Sequence, residues 1–227
     1  MKAMLLAAGR GERMRPLTDH TPKPLLPVGG KPLIVWHLEK LAAAGVRDVV
    51  INHAWLGEQI EQTLGNGEKW GLTLTYSPEP PGALETAGGI AKALPLLGEQ
   101  PFLVISSDIF CDADFAQFTR SPLATGGTRL LLTGNPPHHP HGDFSLDGGR
   151  VTAANGEQTL TYTGIGLFPP ALFRDVPPNQ PMKLRPLLDA AIRQGIVTGE
   201  RHAGYWADVG TPERLVQIDQ ELQTAPL

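Results

Sequence analysis

Residues 4–34 read MLLAAGRGERMRPLTDHTPKPLLPVGGKPLI, and this stretch decides the fold class. An apolar run ends at Ala8, and residues 9–23 then hold two glycines, three arginines and a lysine. A structural turn requires glycine, whose backbone adopts conformations that other residues avoid, but it does not require cations. A site for several phosphates requires both, because backbone N–H groups and positive side chains bind anions together. The stretch therefore predicts a buried strand followed by a polyphosphate-binding loop.

The rest of the chain predicts a mostly parallel, twisted sheet flanked by helices. Strands and helices alternate at first, with strands at 2–8, 48–52, 72–76 and 102–106 and helices at 32–44, at 55–64 and from residue 86. This alternation is typical of parallel strands joined by right-handed crossovers. The later elements are strands at 128–134, 143–147, 150–154 and 159–167 and helices at 184–194 and 212–222. We expect a single α/β domain over residues 1–227.

Composition and charge exclude several classes of protein. The chain has 227 residues, a net charge of -4 and a pI near 6.0, which argues against general binding of nucleic acid. The single cysteine, Cys111, cannot form an internal disulfide and suits a reducing cytoplasm. Apolar runs are too short for a signal peptide or a membrane span. We expect a cytoplasmic protein without nucleic-acid or membrane partners, and the oligomeric state stays open.

The glycine-rich loop is well placed for a ligand, because ligands of open α/β sheets bind outside the carboxyl ends of the strands. Gly9 and Gly11 allow the backbone to approach an anion. Arg13 can bind a phosphate with two N–H groups of its planar guanidinium, and Lys23 can do so with its compact ammonium charge. The spacing matches neither of the two usual nucleotide fingerprints. Taken alone, these residues also fit a plain turn that carries solvated cations.

The same stretch closely resembles the signature of the sugar-1-phosphate nucleotidyltransferases, which is L-A-A-G-x-G-x-R, P-L-T, P-K-P-L-L-P and K-P-L-I. The resemblance implies a Rossmann-like nucleotidyltransferase fold. It also implies an enzyme that joins a nucleoside triphosphate to a sugar 1-phosphate and releases pyrophosphate. In this family the loop contacts the triphosphate, which implies nucleotide contacts from Ala8, Gly9, Gly11, Glu12, Arg13 and Lys23. Arg13 and Lys23 are expected to be catalytic, together with Asp108.

Two aspartates are candidates for binding a metal. Asp108 follows a buried strand, and Asp208 precedes a glycine and a helix start, so each alone fits a cap or a turn equally well. In the family, an Asp after this strand and an Asp in the segment W-x-D-x-G-T-P-E together hold a divalent metal. The resemblance therefore implies that Asp108 and Asp208 bind Mg²⁺, which prefers carboxylate oxygens. Relatives usually have glycine before the first Asp, whereas Ser106 and Ser107 stand here, and Ser106 is assigned to the nucleotide site.

Residues 76–94 resemble the family segment that contacts the base and the sugar. Glu79 is expected to accept a hydrogen bond from N3–H of a pyrimidine. Thr86 and Gly88 open a helix, and the N-terminus of a helix favours anions. Glu85 stands where relatives more often have glycine. We therefore assign Glu79, Thr86 and Gly88 to the nucleotide site.

The sugar site is less well defined by the resemblance. Many relatives carry a V-E-K-P segment whose lysine binds the sugar phosphate, but residues 151–158 read VTAANGEQ instead. Lys183 is the candidate replacement for that charge. The expected sugar contacts are Gly142, Asp143, Asn155, Glu157, Gly164 and Lys183. The histidines of the proline-rich segment 136–141 are expected to lie in a surface loop.

Substrate choice is suggested by segments 51–61, 138–146 and 182–191, which resemble a branch of the family that uses UTP and recycles cell-wall sugar. Formation of GDP-mannose or of dTDP-glucose is the main alternative, and a cytidylyltransferase for phosphocholine is a weaker one. A non-catalytic nucleotide-sugar sensor would be expected to lose Arg13, Lys23 or one metal aspartate. All four residues are present, which favours an enzyme.

Overall fold

The computed structural model describes residues 1–155 and 158–224, and a twisted sheet forms its centre. The strands are β1 (Ala3–Ala7), β2 (Pro27–Val28), β3 (Lys31–Pro32), β4 (Asp48–His53), β5 (Thr73–Pro78), β6 (Phe102–Ser106), β7 (Ile109–Cys111), β8 (Thr128–Thr133), β9 (Phe144–Asp147), β10 (Arg150–Ala153), β11 (Thr159–Phe168), β12 (Val197–Arg201) and β13 (Trp206–Asp208). The helices are α1 (Leu33–Ala43), α2 (Gly57–Leu64), α3 (Glu85–Leu97), α4 (Phe115–Arg120), α5 (Leu184–Arg193) and α6 (Pro212–Thr224). Short 3₁₀ turns occupy Glu12–Met14, Leu17–Asp19, Lys23–Leu25, Glu68–Trp70 and Pro170–Phe173.

Strand β1 lies at the centre of the parallel half of the sheet, between β4 and β6, and β5 continues the parallel order beyond β4. Successive side chains of a strand point to opposite faces. Accordingly, Leu5 joins the core under α1 and α2, whereas Met4 joins the core under α3 and α5. Helices cover both faces, which is why this strand is apolar throughout.

The second half of the sheet is largely antiparallel. The nine strands of the whole sheet run in the order β5-β4-β1-β6-β11-β8-β12-β10-β9. In this order β11 is antiparallel to both of its neighbours, β6 and β8. The two glycines at 148–149 join β9 to β10, and a two-residue hairpin connects only antiparallel strands. The α/β class is confirmed, and the expected parallel order describes the first half of the sheet.

Two short strands escape prediction from the sequence and matter most for the site. Strand β7 follows β6 after a two-residue turn, and it pairs antiparallel with β13, which places Asp208 opposite Ile109. Each of the two strands has three residues, so neither shows a detectable hydrophobic period. Strand β12 and helix α4 are also absent from the expected elements.

A membrane span is not found among the helices of residues 1–155 and 158–224, because none is both long enough and apolar enough.

Candidate active site

Two adjoining cavities open at the carboxyl ends of β1, β4 and β6. The first, of about 510 Å³, is lined by residues 6–14, by Lys23 and by parts of segments 79–86 and 106–108. The second, of about 680 Å³, is lined by segments 136–143, 161–164 and 183–188. The residues that line both are Leu6, Arg13, Glu85, Thr86, Ser106 and Asp108. Two ligands bound in these cavities would therefore meet beside Arg13 and Asp108.

The two glycines of the loop differ in their surroundings: Gly11 is packed against Thr18, and Gly9 has free space beside it among the described residues. Gly11 has φ +64, and a Cβ there would lie 2.9 Å from Cγ2 of Thr18. The Thr18 hydroxyl donates to the Gly11 carbonyl oxygen at 2.7 Å, which holds the turn. At Gly9, a Cβ would meet no atom of the described residues within 4 Å. The backbone at Gly9 is therefore accessible to a ligand in the first cavity.

The two predicted phosphate-binding cations both line the first cavity. Lys23 Nζ lies 2.6 Å from Asp108 Oδ2, and its side chain is only 11% exposed. Arg13 is exposed and reaches the boundary between the two cavities. The structure thus brings Arg13, Lys23 and Asp108 together, as the sequence predicts.

The pairing of β7 with β13 brings the two predicted metal-binding aspartates to one place. The backbone N–H of Val209 donates to the Asp108 carbonyl oxygen at 2.8 Å. Asp208 Oδ2 accepts a hydrogen bond from Arg214 Nη1. Asp208 Oδ1 lies 2.8 Å from His138 Nε2 but is not aligned for a hydrogen bond, so this buried oxygen has no hydrogen-bond partner in the described part of the chain.

The two aspartates suit a hard divalent cation only if a bound substrate supplies further oxygen ligands. Within residues 1–155 and 158–224, no three His, Cys, Asp or Glu side chains form a group able to hold a metal. The unsatisfied Asp208 oxygen and the half-exposed Asp108 carboxylate are the oxygen ligands that Mg²⁺ prefers. The residues therefore fit an ion that takes its remaining ligands from phosphate oxygens and water.

The lining of the first cavity includes a buried carboxylate, Glu79, which is 9% exposed. Its Oε1 accepts from Asn52 Nδ2 at 2.6 Å, and its Oε2 accepts from the backbone N–H of Leu84 at 2.7 Å. Asn52 in turn accepts a hydrogen bond from the Ala7 N–H at 2.9 Å. Sequence reasoning found Glu79 but missed Asn52. The only sequence signal was a polar amide at the carboxyl end of a buried strand.

The start of α3 packs against segment 180–182 at Gly88. The backbone N–H groups of Ala87 and Gly88 donate to the Met182 carbonyl oxygen at 2.9 and 3.2 Å. A Cβ on Gly88 would lie 2.4 Å from the Gln180 carbonyl oxygen, and Gly88 lines neither cavity. Gly88 allows segment 180–182 to pack on the helix, and its assignment to the nucleotide site stays a prediction. Thr86 does line both cavities.

Glu85 adopts a backbone conformation that glycine reaches more easily than other residues. Its φ is +57, and Ala83 beside it has φ +54. This left-handed region costs an ordinary residue roughly 1 kcal/mol or more. Strain of this kind often accumulates where a segment borders a ligand site.

Three of the six expected sugar contacts line the second cavity, namely Asp143, Gly164 and Lys183. Asp143 Oδ2 accepts from the Tyr162 N–H at 2.8 Å, which fixes this carboxylate against β11. Gly164 has φ +82, and a Cβ there would lie 2.7 Å from Ser106 Oγ. This close approach lets β11 pack beside the residue that precedes the turn to Asp108.

The other three expected sugar contacts are not confirmed. A Cβ on Gly142 would lie 2.6 Å from Asn135 Oδ1, so Gly142 serves the local turn and lines neither cavity. Asn155 is exposed, donates its N–H to Ser145 Oγ at 3.2 Å and also lies outside both linings. Glu157 lies outside the described residues.

Two positive side chains line the second cavity together with Asp143. Lys183 is exposed at the start of α5, and Arg185 stands two positions further along. The Arg185 guanidinium carbon lies 4.6 Å from the ring centroid of Phe144, and its Nε donates to Asp189 at 2.8 Å. The cavity thus offers cations to an anionic ligand.

Two further residues beside Asp208 were missed from the sequence. His138 belongs to the proline-rich segment, which is indeed a loop, but its ring lines the second cavity instead of facing solvent alone. His138 Nε2 lies 3.0 Å from Arg214 Nη1, and both groups lie against Asp208. Nothing in the local pattern of either segment indicates that they meet, because the contact joins a loop to α6.

Comparisons with known proteins agree with this arrangement. The sequence model of the family described as nucleotidyl transferase matches residues 2–225. The chain is 56% identical to an N-acetylmuramate alpha-1-phosphate uridylyltransferase from Neisseria meningitidis serogroup B, over 95% of both chains. It is 35% identical to a protein of the same name from Caulobacter vibrioides, over 98% of this chain and 97% of the relative.

Solved structures share the fold. A structure from Bacillus anthracis, described as a glucose-1-phosphate thymidylyltransferase in complex with sucrose, superimposes with a TM-score of 0.86. The match covers 100% of this chain and 97% of that one at 22% identity. At this identity the likeness concerns the fold alone, and it confirms the nucleotidyltransferase fold expected from the sequence.

Proposed function

The chain belongs to the nucleotidyl transferase family, and from this premise we propose that it is a uridylyltransferase for N-acetyl-α-muramate 1-phosphate. With UTP it forms UDP-N-acetylmuramate and pyrophosphate, a step in the recycling of peptidoglycan sugars in the cytoplasm. The names of the relatives at 56% and 35% identity support this choice of substrates. The general activity, transfer of a nucleotidyl group to a sugar 1-phosphate, is that of the relatives as a group.

The observation that carries the proposal is the meeting of two cavities at Arg13 and Asp108. The first cavity has a glycine loop and cations for a triphosphate, and the second has Asp143, Lys183 and Arg185 for a charged sugar. Two substrates bound in this way place the sugar phosphate beside the triphosphate. Holding reactants in such proximity is a major part of catalysis between two phosphates.

The reaction requires no nucleophile from the protein. An oxygen of the sugar phosphate attacks the α-phosphorus, a new P–O bond forms, and the bond to the bridging oxygen breaks in line. The electron pair of the broken bond leaves with pyrophosphate. Arg13 and Lys23 bind the phosphates and offset their charge, because fixed positive groups stabilise the charge that develops in the transition state.

Asp108 and Asp208 are the residues that would hold Mg²⁺ in this proposal. When bound, the ion would supply positive charge at the α-phosphate and align the two substrates. Lys23 keeps the Asp108 carboxylate in place, and Arg214 does the same for Asp208. The unpartnered Asp208 oxygen supports a ligand at this position.

A substrate matrix tests the proposed function. Release of pyrophosphate is measured for UTP, dTTP, GTP and CTP against the 1-phosphates of N-acetylmuramic acid, N-acetylglucosamine, mannose and glucose. N-acetylmuramic acid adds a lactyl carboxylate, and a charged group with a built partner discriminates strongly. We expect kcat/KM for its 1-phosphate to exceed that for N-acetylglucosamine 1-phosphate by about 10²-fold or more.

Other outcomes of the matrix distinguish the alternatives. Preference for GTP with mannose 1-phosphate, or for dTTP with glucose 1-phosphate, would overturn the assigned substrates and leave the nucleotidyl transfer intact. Equal kcat/KM for the 1-phosphates of N-acetylmuramic acid and N-acetylglucosamine would show that the enzyme has no binding site for the lactyl carboxylate. No turnover of any pair, with nucleotide binding retained, would instead indicate a sensor of nucleotide sugars.

A further inference from the structure

The charged side chains around the first cavity orient the nucleotide. Arg13 and Lys23 line the cavity beside Asp108, whereas the lining carboxylate of Glu79 is held by Asn52 and the Leu84 N–H and has no ion-pair partner among the described residues. Glu79 would repel a triphosphate, so the phosphates lie at Arg13 and the glycine loop and the base lies beside Glu79. This orientation rests on the proposed function.

We propose that Asn52 is a positioning residue that selects the nucleobase, because it holds Glu79 as a group that only accepts hydrogen bonds. The Ala7 N–H can only donate, and it lies 2.9 Å from Asn52 Oδ1. The amide orientation of Asn52 is therefore fixed, and its Nδ2 must point at Glu79 Oε1, 2.6 Å away. Asn52 is 3% exposed, so solvent does not compete for these two bonds.

Two hydrogen-bond donors hold Glu79, one at each carboxylate oxygen, and neither donor can act as an acceptor. Asn52 Nδ2 donates to one oxygen, and the Leu84 N–H donates to the other at 2.7 Å. Glu79 lines the cavity, and a carboxylate has further lone pairs with which it can only accept hydrogen bonds. A ligand that complements them must present an N–H group.

This requirement divides the nucleobases into two classes. Uracil, thymine and guanine carry a ring N–H, whereas cytosine and adenine carry a ring lone pair at the matching position. A lone pair facing the acceptors of Glu79 leaves a buried polar contact unpaired, which is costly. The arrangement therefore accepts uracil and rejects cytosine through Asn52 and Glu79.

Gly89 provides independent support, because the helix behind the pair is shaped to fit it. A Cβ on Gly89 would lie 2.4 Å from Glu79 Oε1 and 2.8 Å from Asn52 Nδ2. Only glycine lets α3 approach the pair so closely. The two side chains are thus confined by a strand on one side and by a helix on the other.

The test compares Asn52→Asp with the wild type. The substitution keeps an oxygen to accept from the Ala7 N–H but replaces the donor to Glu79 with a second carboxylate oxygen. The nucleobase does not touch the reacting phosphate atoms. For Asn52→Asp we therefore expect KM for UTP to rise about 10-fold or more, while kcat changes by less than about 3-fold. The ratio of kcat/KM for UTP over CTP should fall by about 10-fold.

Asn66→Asp is the matched control, because Asn66 is exposed, lines neither cavity and accepts from the Glu68 N–H at 3.1 Å through its side-chain oxygen. It should leave the UTP to CTP ratio unchanged. If Asn52→Asp lowers the efficiency with UTP and CTP by the same factor, Asn52 is merely structural and the proposal is overturned. Failure of the wild type to use any nucleotide would instead contradict the proposed function.

A second variant and a substrate probe cover the case in which Asn52→Asp does not fold. Asn52→Ser keeps a hydroxyl near the Ala7 N–H and removes the donor to Glu79, and the same fall in the UTP to CTP ratio is expected. With the wild type, N3-methyl-UTP removes the ring N–H, and its kcat/KM should be about 10²-fold below that of UTP. Equal efficiency with the methylated nucleotide would overturn the proposal without any variant.

Discussion

Asp108 and Asp208 are each paired with a cation of the chain, Lys23 in the first case and Arg214 in the second. The acidic groups therefore sit in a site that is locally close to neutral, which lowers the repulsion toward a polyphosphate. The same pairs hold the carboxylates in position. Oδ1 of Asp208 has no hydrogen-bond partner among the described residues, although His138 Nε2 lies 2.8 Å away, so a ligand can still bind this oxygen.

Replacing either aspartate by asparagine should nearly abolish turnover and leave the fold intact. Each change removes one anionic oxygen ligand, and losses of about 10²-fold or more in kcat are expected. Pyrophosphate release across a Mg²⁺ titration is the measurement. Asp48→Asn, at an exposed strand start, is the control. Near-normal activity of either variant at ordinary Mg²⁺ would contradict the two-aspartate site.

Arg13→Ala should lower kcat/KM strongly, by about 10²-fold or more, with little change in Tm. Arg13 is exposed and lines both cavities, so its charge serves ligands and not the core. Arg15→Ala is a matched control, because Arg15 is exposed, pairs with Asp19 and lines neither cavity. Equal activity of the two variants would indicate that the loop is a plain turn with solvated cations and does not bind phosphates.

Individual site residues differed in how well the sequence predicted them. Arg13 and Lys23 lie on one continuous motif, and Asp108 lies at the end of a buried strand, so their positions followed from one loop and one strand end. Asn52 and His138 contact distant segments. The only local signal for Asn52 is a polar amide at a strand end, and His138 has none. Residue type and spacing report local geometry, whereas these contacts depend on tertiary packing.

At the scale of the elements, the site depends on a bulged strand, β11, whose register shifts between Tyr162 and Gly166. Gly164 lies in this bulge with φ +82, against the side chain of Ser106. A bulge re-aims a strand next to a site. Here it lets β11 line the second cavity while it still pairs with β6.

Gly164→Ala should destabilise the protein by about 1–3 kcal/mol more than Gly149→Ala. Both glycines have positive φ, +82 and +85, so both changes carry a similar backbone cost. Only at position 164 would the new methyl group meet a neighbour, Ser106 Oγ at 2.7 Å, since a Cβ at 149 has no described atom within 4 Å. Urea unfolding measures the difference. Equal loss in the two variants would show that the contact with Ser106 relaxes freely.

The long elements were predicted well and the short ones were not. Periodicity and caps located β1, β4, β6, α1 and α5 to within one or two residues, because each buries a continuous apolar face. Strands β7 and β13 are short, and they form only because they pair with each other across the chain. Local sequence cannot encode that pairing, and it is the pairing that assembles the two aspartates.

At the scale of the whole molecule, a buried histidine links stability to pH. His37 on α1 donates from Nε2 to the Ile109 carbonyl oxygen at 2.9 Å, and its Nδ1 has no partner among the described residues. Burial, aided by the charge of Lys40, lowers the pKa of His37 from 6.5 to about 4. The neutral ring therefore fits the fold, and the protonated ring does not.

The sign of the effect follows from proton linkage. Between pH 6.5 and 4 the unfolded chain binds a proton that the folded chain excludes, so stability is present above pH 6.5 and falls as the pH drops. His37→Gln should reduce the loss between pH 7 and pH 5 by about 2 kcal/mol. Urea unfolding at both pH values measures it. His20→Gln, at an exposed position, should leave the loss unchanged, and the same slope in all three proteins would contradict the assignment.

The pairing of β7 with β13 also sets the order in which the site matures as the chain is made. Strands β1, β4 and β6 are synthesised within the first half of the chain, and the glycine loop, Asn52 and Asp108 lie on or directly after them. Asp208 follows only after about a hundred further residues, and its strand must close a long loop to reach β7. The glycine loop, Asn52 and Asp108 are therefore synthesised before Asp208 completes the pair of aspartates. A ribosome-bound chain that stops short of β13 is expected to hold a nucleotide without being able to turn it over.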